Sequence, residues 1–98
     1  MEIIKTQNKD ELTLKVIGEL NTATYQVLEE TINKSIKGIK ALIFDFSELE
    51  YISSAGLRVL LISKKQMDKQ GKMVVKNANQ SVMEIFEITG FSNILDFE

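Results

Sequence analysis

Ser54 is the residue whose neighbours offer the most chemistry. It lies in the run Tyr51-Ile52-Ser53-Ser54-Ala55-Gly56-Leu57-Arg58-Val59-Leu60-Leu61, downstream of the buried-type strand Ala41-Leu42-Ile43-Phe44 and at the onset of an apolar stripe with helical spacing. A phosphate on Ser54 would sit at a helix N-terminus, where unpaired backbone N–H groups and the positive end of the helix dipole favour an anion. The run also has a plain structural use, with Ser53 or Ser54 as the N-cap that satisfies the first orphan donors. Arg58, the only arginine, follows Ser54 by one helical turn, a spacing that brings side chains together and would pair the guanidinium with a phosphate.

The rest of the composition removes most other chemistries. There is no histidine, which excludes Ser-His-Asp catalysis, His-relayed phosphate and the commonest zinc ligand. There is no cysteine, so disulfides, thiolate nucleophiles and Cys-based metal sites are excluded as well. A hydrolase with Ser54 as nucleophile would need a lysine beside it as base. Gly38, Gly56, Gly71 and Gly90 are dispersed rather than gathered in a phosphate loop, and no cofactor is expected. Asp45, Glu48 and Glu50 have the chemistry of a divalent-cation site or an acid/base pair. Acids are ordinarily exposed, however, and these read as solvated loop and strand-end groups, with Asp45 suited to cap a turn before Ser47; no metal site is expected.

Charge points the same way. Lys64, Lys65, Lys69, Lys72 and Lys76 make one region basic, but Asp68 interrupts it, no aromatics are interleaved, and the net charge is −2. The lysines are expected to be a solvated face, with neither nucleic acid nor membrane as a partner. No segment has membrane-spanning length and none reads as a signal peptide, so a cytoplasmic location is expected.

The elements that must position Ser54 are legible along a chain of 98 residues, enough for one domain spanning 1–98. Ile3-Ile4 and the alternating Leu12-Thr13-Leu14-Lys15-Val16-Ile17 predict a hairpin around Asn8-Lys9-Asp10-Glu11. Asn21 or Thr22 would cap a helix carrying Tyr25, Leu28, Ile32 and Ile36, with Glu29, Glu30 and Lys34 on its wet side and Gly38 after it. Ala41 to Phe46 reads as a covered central strand, followed by a helix from about Ser54 to Gln70 that stops at Gly71. Met73-Val74-Val75 is a short strand, and Val82, Ile85, Phe86 and Thr89 mark a third helix closed by Gly90. Asn79 would cap that helix, or Ser81 with Glu84 would form a capping box. Ile94-Leu95-Asp96-Phe97 is a weak final strand or docking tail. The predicted class is α/β, a mixed β-sheet in β-β-α-β-α-β-α order with helices packed on it and right-handed crossovers.

Several of these segments together resemble the STAS domain of bacterial anti-sigma factor antagonists. The likeness is carried by Gly18-Glu19-Leu20-Asn21, Asp45-Phe46-Ser47, Tyr51-Ile52-Ser53-Ser54-Ala55-Gly56-Leu57, Gly71-Lys72-Met73-Val74-Val75 and Ile85-Phe86-Glu87-Ile88-Thr89-Gly90-Phe91, and so covers nearly the whole chain. It implies a partner-switching regulator that is not itself an enzyme. In such proteins the unphosphorylated antagonist binds an anti-sigma factor that is also a serine kinase and frees the sigma factor. The kinase then phosphorylates the antagonist and releases it, and a PP2C-type phosphatase resets the cycle. The family's phosphorylated serine falls on Ser54, and its docking surface on Asn21, Thr22, Thr24, Ser53, Ser54, Ala55, Gly56 and Arg58.

Gly56 is expected to let a partner's backbone or an ATP phosphate approach the serine hydroxyl. This chain has Ser53 and Asn21 where relatives commonly carry Asp, which removes negative charge beside that surface. It also ends at Glu98, before a last helix that many relatives possess. A second function consistent with the resemblance is a stand-alone STAS module that senses a nucleotide or lipid, or a subunit of a transport or stress-signalling assembly. The serine turn favours the first, since ligand sensing does not require Ser54.

Overall fold

A computed structural model describes all residues, 1–98. The hairpin forms as the alternation predicts, with β1 (Glu2–Asn8) antiparallel to β2 (Glu11–Leu20) and Ile3 opposite Val16. Leu12, Leu14 and Val16 point inward and are fully buried. The strands extend beyond the apolar residues that signal them, because backbone pairing continues to Asn8 and Glu11 around a turn in which Lys9 takes φ 58°.

Strand β2 serves two parallel partners. Its first half, Glu11 to Lys15, pairs with β3 (Ala41–Asp45), and its end, Gly18 to Leu20, pairs with β4 (Leu49–Ile52). The register shifts between Gly18 and Glu19, where Gly18 has φ 100°, a backbone conformation open to glycine and strained for side-chain-bearing residues. β3 also pairs with β5 (Lys72–Lys76), and β5 with β6 (Asp96–Phe97), so the sheet order is β1-β2-β3-β5-β6 with β4 attached to β2. The result is a mixed α/β fold. The expected order needs one correction, since β4 intervenes between β3 and the second helix, and of the two readings of the C-terminal segment the strand is the one found, at Asp96–Phe97. β4 escapes the sequence pattern because it is only four residues long and buries just its ends, Leu49 and Ile52, leaving Glu50 and Tyr51 exposed.

The helices are α1 (Tyr25–Ser35), α2 (Ser54–Asp68) and α3 (Gln80–Thr89), with a 3-10 turn at Phe91–Asn93. Leu28 and Ile32 of α1, Leu57, Leu60 and Met67 of α2, and Val82 and Phe86 of α3 join the inward residues of the sheet in one core. Phe44, Phe46 and Phe86 form a run of ring contacts with centroids 5.7 and 6.5 Å apart, extended by Phe97 at 5.4 Å from Phe86. α3 is capped by Asn79, whose carbonyl oxygen accepts the Val82 N–H at 2.9 Å, and closed by Gly90 at φ 82°. Gly71 plays a different part from the helix stop that its position suggests. α2 ends at Lys69 with ordinary right-handed geometry, and Gly71 lies so close to Lys40 that an added Cβ would stand 2.0 Å from the Lys40 carbonyl oxygen. No helix is long and apolar enough to cross a membrane.

Candidate functional site

Ser54 opens α2 directly after β4, so a short strand and a single linking residue aim its hydroxyl at solvent. Ser53 is the N-cap in extended geometry (φ −96°, ψ 177°), its N–H bonded to the Leu20 carbonyl at 2.9 Å. The capping reading of the sequence is met in position but not in chemistry. The Ser53 hydroxyl accepts from no helix N–H, and its oxygen is buried without a hydrogen-bond partner. The first bond of the helix runs from the Leu57 N–H to the Ser53 carbonyl at 2.9 Å, and no side chain accepts from the N–H groups ahead of it. These groups, with a dipole equivalent to about half a positive charge, face the space above Ser54.

The neighbouring wall is the turn between β2 and α1. The Asn21 side-chain oxygen accepts the Ala23 N–H at 2.9 Å. The Thr24 hydroxyl accepts the Asn21 N–H at 2.9 Å and donates to the Glu19 carbonyl at 2.8 Å. Asn21 and Thr24 are therefore engaged within the turn, and Thr24 rather than Asn21 or Thr22 takes the N-cap position of α1. These bonds hold the turn in shape.

Between this turn and α2 lies an open cleft of about 660 Å³ lined by Thr22, Tyr25, Glu29, Ser54, Ala55, Arg58 and Val59. Four of the expected docking residues, Thr22, Ser54, Ala55 and Arg58, meet here. Gly56 does not. It is buried beneath the helix start, and a Cβ on it would lie 2.7 Å from Leu20 Cγ and 2.8 Å from Ile52 Cγ1. The expected close approach of a partner at Gly56 is thereby corrected, since the position lets α2 settle against β2 and β4. Tyr25, Glu29 and Val59 are the residues that sequence reasoning missed. The sequence pattern sets Tyr25 in the apolar stripe of α1 and Glu29 on its wet side, and their spacing of one turn is the signal that they share a flank.

The cleft continues into a smaller apolar furrow between α1 and α2, about 100 Å³, floored by Ile32, Ile36, Val59 and Ile62, with Glu29 and Val59 common to both. The furrow's polar lining is Glu29, Asn33, Gln66 and Ser63, and the Ser63 hydroxyl is committed to the Val59 carbonyl at 2.8 Å.

The acids ahead of the serine turn lie outside the cleft. Glu48 pairs with Lys15 at 2.7 Å, and the hydrogen bond and charge of Glu48 raise the Lys15 pKa. Asp45 accepts the Ser47 N–H at 3.0 Å, as expected of a turn cap, and an Asn77 side-chain N–H at 3.3 Å. Burial pushes the Asp45 carboxyl up, but the bonds from Ser47 and Asn77 and the charge of Lys15 outweigh it and leave the pKa below its ordinary value. No three Asp or Glu side chains are grouped so as to hold a metal ion.

Comparison with known proteins places this geometry in context. A profile of the STAS domain matches residues 2–98. BtrV of Bordetella bronchiseptica, which bears the name of an anti-sigma factor antagonist, is 40% identical over 79 residues, 79% of this chain and 68% of that protein. The anti-sigma-B factor antagonist of Bacillus subtilis is 26% identical over 91 residues, covering 92% of this chain and 84% of that one. Among solved structures, the anti-sigma factor antagonist SpoIIAA in its unphosphorylated form superposes with a TM-score of 0.86 at 16% identity, over 99% of this chain and 88% of that one. At that identity the likeness is one of fold.

Proposed function

The chain belongs to the STAS domain family, and from that premise we propose that it is an anti-sigma factor antagonist switched by phosphorylation of Ser54. In its unphosphorylated form it docks through the cleft beside Ser54 onto an anti-sigma factor that is also a serine kinase, and the sigma factor is released. The names of the 40%-identical Bordetella relative and of the Bacillus subtilis relative support this reading.

The observation that carries it is the state of the α2 N-terminus: an exposed serine hydroxyl stands on a helix start whose first N–H groups and N-cap hydroxyl are left without partners. A phosphate there gains charge-assisted bonds from groups already in place, so the fold accommodates it without rearrangement. The chain offers no histidine as base, so the partner supplies the chemistry. The Ser54 Oγ attacks the γ-phosphorus of ATP held by the kinase, the hydroxyl proton passes to a base of the kinase, and ADP leaves. The new group brings about −1.5 to −2 charges into the docked surface, where repulsion and desolvation drive the partners apart. A PP2C-type phosphatase restores the hydroxyl, and the cycle runs in the cytoplasm.

The test is direct. A cognate anti-sigma factor serine kinase is incubated with it and ATP, and intact-mass and fragmentation spectra should place one phosphate on Ser54. Phosphate that persists in Ser54→Ala overturns the assignment. Ser54→Asp should melt like the wild type yet bind the kinase poorly, and equal affinities in calorimetry would defeat the switch.

A further inference from the structure

Arg58 is the chain's only arginine, and it is unpaired. The ion pairs of the protein join Lys15 to Glu48, Lys64 to Asp68 and Lys76 to Glu98. Yet Arg58 shares its cleft with an acid, Glu29 of α1, and with Ser54 one turn earlier on its own helix. It is also the only cation lining that cleft. Long side chains on a helix lean toward its N-terminus and cover the preceding turn, which for Arg58 is the turn that Ser54 opens. An exposed guanidinium left free in this way is available to a carboxylate or a phosphate, both of which its planar fork binds through two parallel N–H donors.

We propose that Arg58 is a cation shared between the two states of the switch. While Ser54 is unmodified, Arg58 holds a carboxylate of the docked partner. Once Ser54 carries a phosphate, Arg58 folds back onto it and the partner's acid loses its anchor. Release then comes from withdrawal of an attractive contact as well as from repulsion. This rests on Ser54 being the phosphoacceptor, and it adds the chemistry of the partner's contact: an Asp or Glu side chain facing the first turn of α2.

Two measurements test it. In the isolated protein, phosphoserine is placed at position 54 during translation and its second ionisation, near pH 6 in free peptides, is followed by phosphorus NMR. The sole arginine gives one Nε–Hε signal. That signal should move as the phosphate ionises, and the phosphate pKa should rise in Arg58→Gln. No movement and no change of pKa overturn the withdrawal.

The second measurement is a cycle of affinities for the kinase among wild type, Ser54→Asp, Arg58→Gln and the double variant. Arg58→Gln should weaken binding about tenfold or more, the size of a charge-assisted contact. Ser54→Asp should then cost much less in the Arg58→Gln background than in the wild type, and Arg58→Lys should fall between wild type and Arg58→Gln. Additive losses, or full affinity in Arg58→Gln, overturn the shared cation while leaving the phosphorylation switch standing. A wild-type protein that the kinase neither binds nor phosphorylates overturns the switch, and the role of Arg58 falls with it.

Discussion

The two ends of α2 are built to opposite rules. At its start the N-cap hydroxyl is buried without a partner, the first N–H groups have no side-chain acceptor, and an open cleft adjoins them. At its end almost every group is engaged: the Gln70 amide donates to the carbonyls of Ile36 at 2.8 Å and Ile39 at 2.6 Å, and Gly71 lies against Lys40. Those contacts join the C-terminal end of α1 to the entry of β3 and β5. At the start of α3, by contrast, Asn79 accepts from the Val82 N–H and donates to the Leu49 carbonyl at 3.1 Å, so that helix start is closed by its own side chain. Under the proposed function the closed end of α2 serves stability and the open end serves binding, because polar groups reserved for a partner are unavailable to the fold.

The largest expected effect is at the closed end. Gly71→Ala would set a Cβ 2.0 Å from a backbone carbonyl oxygen that cannot rotate away. The cost is expected to be roughly 4 kcal/mol or more, a large share of a stability of about 5–15 kcal/mol. Thermal melts by circular dichroism should show a fold lost or lowered by tens of degrees, and a melt near wild type would mean that β3 and β5 are not held as described.

Gly56→Val comes next and probes the underside of the open end. The added side chain meets Leu20 and Ile52, both essentially without solvent exposure. Overpacking of about 1–3 kcal/mol outweighs the gain of up to about 1 kcal/mol from replacing a helical glycine. The melting temperature should fall by roughly 4–8 °C for each kcal/mol lost. An unchanged melt combined with impaired kinase binding would restore Gly56 to the docking surface.

A matched pair sharpens the contrast between the ends. Gln70→Ala removes a donor shared by two carbonyls and should cost about 1–2 kcal/mol, whereas Ser53→Ala removes a hydroxyl that bonds nothing and should change stability by less than about 0.5 kcal/mol in either direction. Urea melts of both variants decide the matter, and a costly Ser53→Ala would show that the α2 start is capped after all.

The smallest effect concerns Asp45, at the edge between sheet and serine turn. Its folded pKa lies below the ordinary 3.8, so its stabilising contribution is fully present above the unfolded value and is lost as pH falls through the folded one. Asp45→Ala should therefore be less stable than wild type at neutral pH, by about 1 kcal/mol for a turn cap. The gap should close below pH 3.8. A gap that stays constant down to the lowest pH would mean that the carboxylate charge plays no part.

Much of the fold is legible in the sequence because it rests on local rules. Alternation in Leu12-Thr13-Leu14-Lys15-Val16 specifies a half-buried strand, the helical spacing of Leu57, Leu60 and Leu61 specifies α2, and Asn79 and Gly90 bound α3 through their own side-chain and backbone chemistry. Ser54 and Arg58 are legible for the same reason, since one turn of one helix relates them. β4 is not, because four residues with two exposed acidic or aromatic side chains carry no period, and only pairing with the far end of β2 makes them a strand.

What the sequence determined by itself is thus the main elements apart from β4, the phosphoacceptor candidate and the absence of any histidine or cysteine chemistry. Which residues share the site was decided by tertiary structure. α1 must lie beside α2 before Tyr25 and Glu29 can line the cleft with Ser54. The helix must rest on β2 and β4 before Gly56 is seen to face inward, and β3 must meet β5 before Gly71 is seen to be needed for space rather than for a turn. In each case the residue's neighbours are far away in sequence, and a local pattern carries no record of a contact made across the fold.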